Sequence, residues 1–103
     1  MVKARVRLGS QVVDFIGQLA PEPKRALREA LKGIADGKSD TKLLEGKLSG
    51  FSRLRSGRIR VIYQNRTVAG ERQIFCFYAD YRSSVYDVFE QLLASDLLEH
   101  FSD

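Results

Sequence analysis

The sequence predicts an α+β fold, in which a small, mainly antiparallel sheet of one N-terminal strand and a three-stranded meander carries an N-terminal helical hairpin and a C-terminal helix. Three observations predict it: an opening stretch of strict apolar and basic alternation, two amphipathic segments separated by Pro21, and three apolar runs divided by glycine turns. A chain of 103 residues is long enough for one core, so we predict a single domain over residues 1–103.

The first strand is predicted from Val2 to Leu8, where apolar residues alternate with lysine and arginine. Gly9 ends this strand, and Ser10 is expected to cap the helix that follows. That helix ends near Ala20, and its apolar residues recur at the 3.6-residue period of a helix. They are Val12, Phe15, Ile16 and Leu19.

The second helix of the hairpin is predicted to start near Pro23, because proline suits the first turn of a helix, and to stop by Gly37. Its apolar stripe consists of Leu27, Ala30, Leu31 and Ile34. From Gly37 to Gly50 the chain is polar and irregular, which predicts a connecting loop. The leucines of this loop, Leu43, Leu44 and Leu48, are expected to pack back against the core.

The meander is predicted in three strands. The first two run from Phe51 to Arg55 and from Arg58 to Gln64, with a tight turn at Ser56 and Gly57 between them. The third runs from Gln73 to Ala79 after a turn at residues 69–71.

The last helix is predicted to begin at Ser83 or Ser84, since serine is a favoured N-cap residue. Its apolar side consists of Val85, Phe89, Leu92 and Leu93. The order of the elements predicts that the helical hairpin covers one face of the sheet and that the other face is partly open.

The composition argues against several classes of function. No apolar stretch approaches the roughly 20 residues of a membrane helix, which predicts a cytoplasmic protein with no membrane partner. The single cysteine, Cys76, lies in an apolar run and is interpreted as a buried strand residue. No glycine-rich phosphate loop, metal-ligand cluster or Ser/His/Asp arrangement is recognisable, so no metal and no cofactor are predicted. We interpret the single histidine, His100, as a surface residue, with acid–base function as the alternative.

Arginine is concentrated in the middle of the chain. Between Gly50 and Gly70 there are five arginines and no acid, whereas after Arg82 there are five acids and no lysine or arginine. Strand alternation places several of these arginines on shared faces and predicts a groove. The groove is bounded by Arg53, Arg55, Arg60, Arg82 and Tyr86. A guanidinium group can donate two parallel hydrogen bonds to a phosphate, so the groove suits nucleic acid. The alternative is that the arginines form a solvated charged surface that binds no anion.

RNA offers a cleavage reaction that needs no metal, because its own 2′-hydroxyl can attack the adjacent phosphate. A protein then has to align the strand, stabilise the charge on the transition state and assist proton transfer. Arginines suit the second task but hold their protons too tightly for the third, since their pKa lies above about 12. Tyr86 is therefore the candidate for proton transfer.

The segments LSGFSRLRSGRIRVIY, from Leu48 to Tyr63, and YRSSVY, from Tyr81 to Tyr86, resemble the toxins of the RelE/ParE superfamily of bacterial type II toxin–antitoxin systems. RelE-type members are ribosome-dependent mRNA endonucleases. The resemblance implies that the catalytic residues are Arg60, Arg82, Tyr86 and Arg53. We predict that Arg55, Arg58 and Lys47 bind RNA. Asp80 is a departure, because some active members carry a catalytic arginine there.

The resemblance also implies partners. They are a cognate antitoxin, the ribosome and its mRNA, and operator DNA as a target of the toxin–antitoxin complex. Two other functions stay open. One is inhibition of DNA gyrase, the activity of ParE-type members, which share this fold. The other is that of a basic binding domain without catalytic activity.

Overall fold

The computed structural model describes residues 4–81 and 84–95 of the chain. Three helices and five strands follow one another in the order β1 (Ala4–Leu8), α1 (Ser10–Gly17), α2 (Pro21–Gly33), β2 (Asp40–Leu43), a single 3-10 turn (Gly46–Leu48), β3 (Ser52–Ser56), β4 (Ile59–Val68), β5 (Glu71–Tyr81) and α3 (Ser84–Ala94). The strands form one sheet in the order β1-β5-β4-β3-β2. Only β1 runs parallel to its neighbour, and the α+β prediction is confirmed.

The predicted loop after Gly37 is wrong in part, because it contains the edge strand β2. This strand pairs antiparallel with β3, from Asp40 opposite Arg55 to Leu43 opposite Ser52. All four of its residues are exposed, so no apolar alternation marks it in the sequence. It forms because the backbone groups along β3 need partners. Leu43 does not pack back as predicted, since it is 74% exposed.

Several local boundaries differ from the sequence predictions: α1 ends earlier, at Gly17, α2 starts earlier, at Pro21, and β4 and β5 are longer than predicted. Helix α1 begins at Ser10 itself, and its N-cap is Gly9, which makes no side-chain cap. The turn between β3 and β4 lies one residue later than predicted, at Gly57 and Arg58, with Gly57 at a φ of 60°. The turn from β4 to β5 consists of Ala69 and Gly70 and is one residue shorter than predicted. Both residues have positive φ, the two-residue geometry that matches the twist of a hairpin.

Each face of the sheet has its own core. The hairpin of α1 and α2 packs on one face, as predicted, against a core that includes Val12, Leu27, Leu54, Val61, Tyr63, Ile74 and Cys76. Burial raises the pKa of the Cys76 thiol to about 12, which agrees with its interpretation as a buried strand residue. Helix α3 covers part of the opposite face, which we call the α3 face. The core there consists of Leu48, Ile62, Phe75, Phe77, Val85 and Phe89.

A β-bulge lies in β5 where it pairs with β4. Ile62 is opposite Tyr78 and Tyr63 is opposite Cys76, so Phe77 has no partner on β4. Phe77 and Tyr78 therefore both pack on the α3 face, and Ala79 returns to the core of the hairpin face. Within residues 4–81 and 84–95, no helix is long and apolar enough to cross a membrane.

Candidate nucleic-acid interface

Charged side chains from four strands lie side by side on the α3 face, next to the β3–β4 turn. The sheet register pairs each of them with the next, in the order Asp40, Arg55, Arg60 and Asp80. Residues directly opposite in antiparallel strands share a face and have Cβ atoms about 4.5–5.5 Å apart. We call this set the charged row. A second row on the same face, two residues along each strand, consists of Lys42, Arg53, Ile62 and Tyr78.

Arg60 occupies the middle of the charged row. Its Nη1 donates to the backbone oxygens of Gly57 at 3.1 Å and Ile59 at 3.4 Å. It forms no ion pair with any residue that the structure describes. Because an arginine has five N–H donors, the local carbonyls orient the guanidinium and leave other N–H groups for an anion.

Arg53 and Arg55 share one carboxylate. Arg55 Nε lies 2.6 Å from Asp40 Oδ2, and Arg53 Nη2 lies 3.6 Å from Asp40 Oδ1. Arg53 is only 9% exposed, and its Nε is buried without a hydrogen-bond partner. A buried N–H without a partner costs about 1–3 kcal/mol.

Two tyrosines lie on the same side of the sheet as these arginines, packed against the α3-face core. Burial, and then the negative charge of Asp80, raise the pKa of Tyr78, so its phenol stays protonated and can donate a hydrogen bond at neutral pH. Tyr86 lies in the first turn of α3 and is half-buried against the α3-face core. Ser84 Oγ donates a hydrogen bond to the backbone carbonyl oxygen of Tyr81 at 2.7 Å, which connects the start of α3 to the end of β5. Tyr86 therefore sits on the helix that covers the face on which Arg60 lies.

Solved structures of toxins are similar to this chain. The RelBE2 toxin–antitoxin complex from Mycobacterium tuberculosis matches with a TM-score of 0.64 and 22% identity, over 81% of this chain and 95% of that chain. An archaeal RelE–RelB complex from Pyrococcus horikoshii matches with a TM-score of 0.55 and 27% identity, over 78% and 96%. The chain has the fold of the RelE/ParE toxin superfamily. The resemblance inferred from the sequence is confirmed.

A third structure of this RelE/ParE fold is the YoeB/ParE toxin from Agrobacterium tumefaciens, with a TM-score of 0.58 and 13% identity, over 76% of this chain and 98% of that chain. Comparison with protein families and with curated protein sequences gives no match.

The residues expected from the RelE/ParE resemblance do not all meet. Arg53, Arg55 and Arg60 lie on the α3 face, at the end of the sheet next to the β3–β4 turn. Arg58 is exposed in that turn and lines a cavity on the hairpin side of the sheet. Lys47 precedes the other end of β3, where its Nζ lies 3.4 Å from Glu90 Oε1. Arg82 and His100 lie outside the described residues.

Sequence reasoning missed Asp40, Lys42 and Tyr78 of the two rows. The first two belong to β2, whose Asp-Thr-Lys-Leu sequence carries no strand pattern. Strict alternation along β5 would place Tyr78 on the hairpin face, and the bulge moves it to the α3 face. These residues are positioned by the pairing of β2 with β3 and of β5 with β4. The periodicity of a single segment does not reveal such pairing.

We expect the substitution Asp40→Asn to strengthen binding of a single-stranded RNA oligonucleotide about threefold to tenfold. The carboxylate occupies the donors of Arg53 and Arg55, and its charge repels phosphate. Fluorescence anisotropy with a labelled oligonucleotide measures the change. Asp36→Asn removes an equal charge at an exposed position outside the rows and serves as the control. Equal affinity of Asp40→Asn and wild type would show that Asp40 does not compete with RNA.

Proposed function

We propose that this protein is the toxin of a type II toxin–antitoxin system and that it cleaves mRNA on the ribosome. The observation that carries the proposal is Arg60, a cation oriented by backbone carbonyls and without an ion pair among the described residues. Arg53 and Arg55 lie beside it on the same face. Toxin–antitoxin complexes with the same fold support the assignment to this class of system.

The proposed reaction uses the 2′-hydroxyl of the RNA as the nucleophile. Its oxygen forms a bond to the adjacent phosphorus, and the bond from phosphorus to the 5′-oxygen breaks, which leaves a 2′,3′-cyclic phosphate and a 5′-hydroxyl. The transition state gains negative charge on the phosphate oxygens, and Arg60, Arg53 and Arg55 stabilise that charge. Tyr86 assists proton transfer, and we retain Arg82 as a catalytic residue in the proposal. Neither a metal nor a cofactor takes part.

The proposed partners are a cognate antitoxin, the cytoplasmic ribosome with its mRNA and, for the toxin–antitoxin complex, operator DNA. The antitoxin proposal draws on the RelB-containing complexes of similar fold. It also draws on β2, whose outer edge ends the sheet and whose residues are all exposed. An unpaired strand edge can add a strand from a partner.

Primer extension on a reporter mRNA in a reconstituted translation system tests the proposed function. We expect cleavage sites that appear with the protein and require ribosomes. Intact mRNA, together with toxicity in cells, would replace the nuclease proposal with gyrase inhibition, and a DNA supercoiling assay would then show inhibition. Intact mRNA without toxicity would leave a non-catalytic binding domain.

We expect RNA affinity to fall steeply with salt, because neutralised phosphates release counterions. Three contacts from Arg53, Arg55 and Arg60 give a slope of about −2 in a plot of log affinity against log salt, since each contact to a single strand contributes about −0.7. Anisotropy titrations at several salt concentrations measure the slope. Arg60→Ala should reduce its size by about 0.7, whereas Lys38→Ala, at an exposed site outside both rows, should leave it unchanged. A flat salt dependence of the wild type would contradict phosphate binding.

A further inference from the structure

A cavity of about 250 Å³ opens at the end of the sheet, on the side opposite the charged row. One wall comes from the hairpin and consists of Leu19, Pro23 and Ala26. Tyr81 forms part of the lining from the end of β5. Ser56 and Arg58 line it from the β3–β4 region and bring polar groups to an otherwise apolar space. Its volume lies below the roughly 300–1,000 Å³ of sites for drug-sized ligands, which suits a single planar ring system.

Tyr81 is an aromatic residue that the fold leaves in contact with solvent. It is 47% exposed, although its ring packs on Phe15 with centroids 5.2 Å apart. Exposed aromatic rings beside basic side chains are the platforms on which proteins stack the bases of single-stranded nucleic acid. The rest of the Tyr81 ring surface is therefore available for such a stack.

Arg58 supplies the positive charge at this cavity. Its side chain is exposed and forms no ion pair within residues 4–81 and 84–95. It belongs to the turn whose Gly57 oxygen accepts a hydrogen bond from Arg60 Nη1. The cavity and the charged row thus meet at one turn, on the two sides of the sheet end. A strand of RNA that passes round this end reaches both.

We infer that the cavity is a nucleobase subsite, and this inference rests on the proposed function. It takes the base of a nucleotide next to the phosphate held by Arg60. The base stacks on Tyr81, and Arg58 binds the phosphate of that same nucleotide. Stacking depends little on base identity, because every base has a π face. The subsite therefore positions the strand more than it selects a sequence.

A cycle of protein variants and abasic RNA tests the subsite. Ribosomes are programmed with synthetic mRNA that carries an abasic nucleotide at one position of the exposed codon or beside it, one position at a time. At one position the wild type should lose at least about fivefold in cleavage rate, the lower end expected for loss of one stacked base. Tyr81→Ala should lose a similar factor on intact RNA and nothing further at that position. Tyr81→Phe keeps the ring and should stay within about twofold of wild type.

A second variant keeps the test independent of Tyr81 packing on Phe15. Ala26→Phe fills the cavity from an exposed helix position and should reproduce the loss on intact RNA and the insensitivity to the abasic nucleotide. If the losses in cleavage rate from Tyr81→Ala and from the abasic nucleotide multiply at every position, the subsite is overturned. Such a result would mean that Tyr81 and the base contribute independently. Unchanged cleavage by Tyr81→Ala would also overturn it. A wild type that cleaves no mRNA would defeat the proposed function itself, and the subsite with it.

Discussion

Replacing Arg60 with alanine is expected to lower the rate of mRNA cleavage about 10²- to 10³-fold, the usual effect of removing a preorganised group that stabilises developing charge. Stability should change little, because the side chain bonds only to the carbonyl oxygens of Gly57 and Ile59 and forms no ion pair among the described residues. Primer extension under single-turnover conditions measures the rate, and urea unfolding measures stability. Arg60→Lys keeps the charge but not the paired donors, so an intermediate rate is expected.

Arg66→Ala is the matched control for this experiment. Arg66 lies on the same strand and on the same face, with its guanidinium carbon 4.6 Å from the centre of the Phe75 ring, away from the charged row. It should keep cleavage within about threefold of wild type, in line with a surface cation that does not touch the scissile phosphate. Equal losses in Arg60→Ala and Arg66→Ala would mean that total positive charge matters, and that Arg60 has no special position.

Replacing Phe89 with alanine is expected to lower the free energy of unfolding by about 3–5 kcal/mol, the range for a large aromatic residue removed from a core. Phe89 has no exposed surface. Its ring meets Phe51 edge-on with centroids 5.0 Å apart and lies 6.2 Å from Phe77. These contacts hold α3 on the sheet, and α3 also carries Tyr86. The variant should therefore lose cleavage even under conditions where it stays folded.

Urea unfolding, monitored by circular dichroism, measures the loss in free energy of unfolding. Gln91→Ala changes an exposed position on the same helix and should shift stability by less than about 0.5 kcal/mol. Phe89→Leu keeps much of the apolar volume, so its loss in free energy of unfolding should lie between those of Gln91→Ala and Phe89→Ala. A loss below about 1 kcal/mol in Phe89→Ala would show that α3 contributes little to the fold.

Periodicity predicted the elements whose burial is regular. The alternating residues of β1 and the amphipathic faces of α1 and α2 pack on one core, as their spacing indicates. Strand β2 was beyond this reasoning, because its four residues are exposed and pairing with β3 alone makes it a strand. The bulge at Phe77 was equally hidden, since nothing in an apolar run marks the residue that loses its partner.

The candidate site was predictable to the same extent. Alternation predicted that several arginines share a face, and Arg53, Arg55 and Arg60 do lie on one face of the sheet. The carboxylates at both ends of the charged row, Asp40 and Asp80, depend on register between strands. Register is set by contacts distant in sequence, so a single segment cannot reveal which charges become neighbours.

The parallel pairing of β1 with β5 ties the beginning of the chain to residues far along it, from Ala4 with Arg72 to Leu8 with Cys76. A growing polypeptide that has not yet emerged past β5 cannot complete this sheet, because its first strand has no neighbour to bond. The complete sheet therefore forms only after β5 is available, and such distant pairings form slowly compared with local helices. A copy of the chain that ends before β5 also lacks Asp80, the residue opposite Arg60, so the charged row is incomplete until β5 is present.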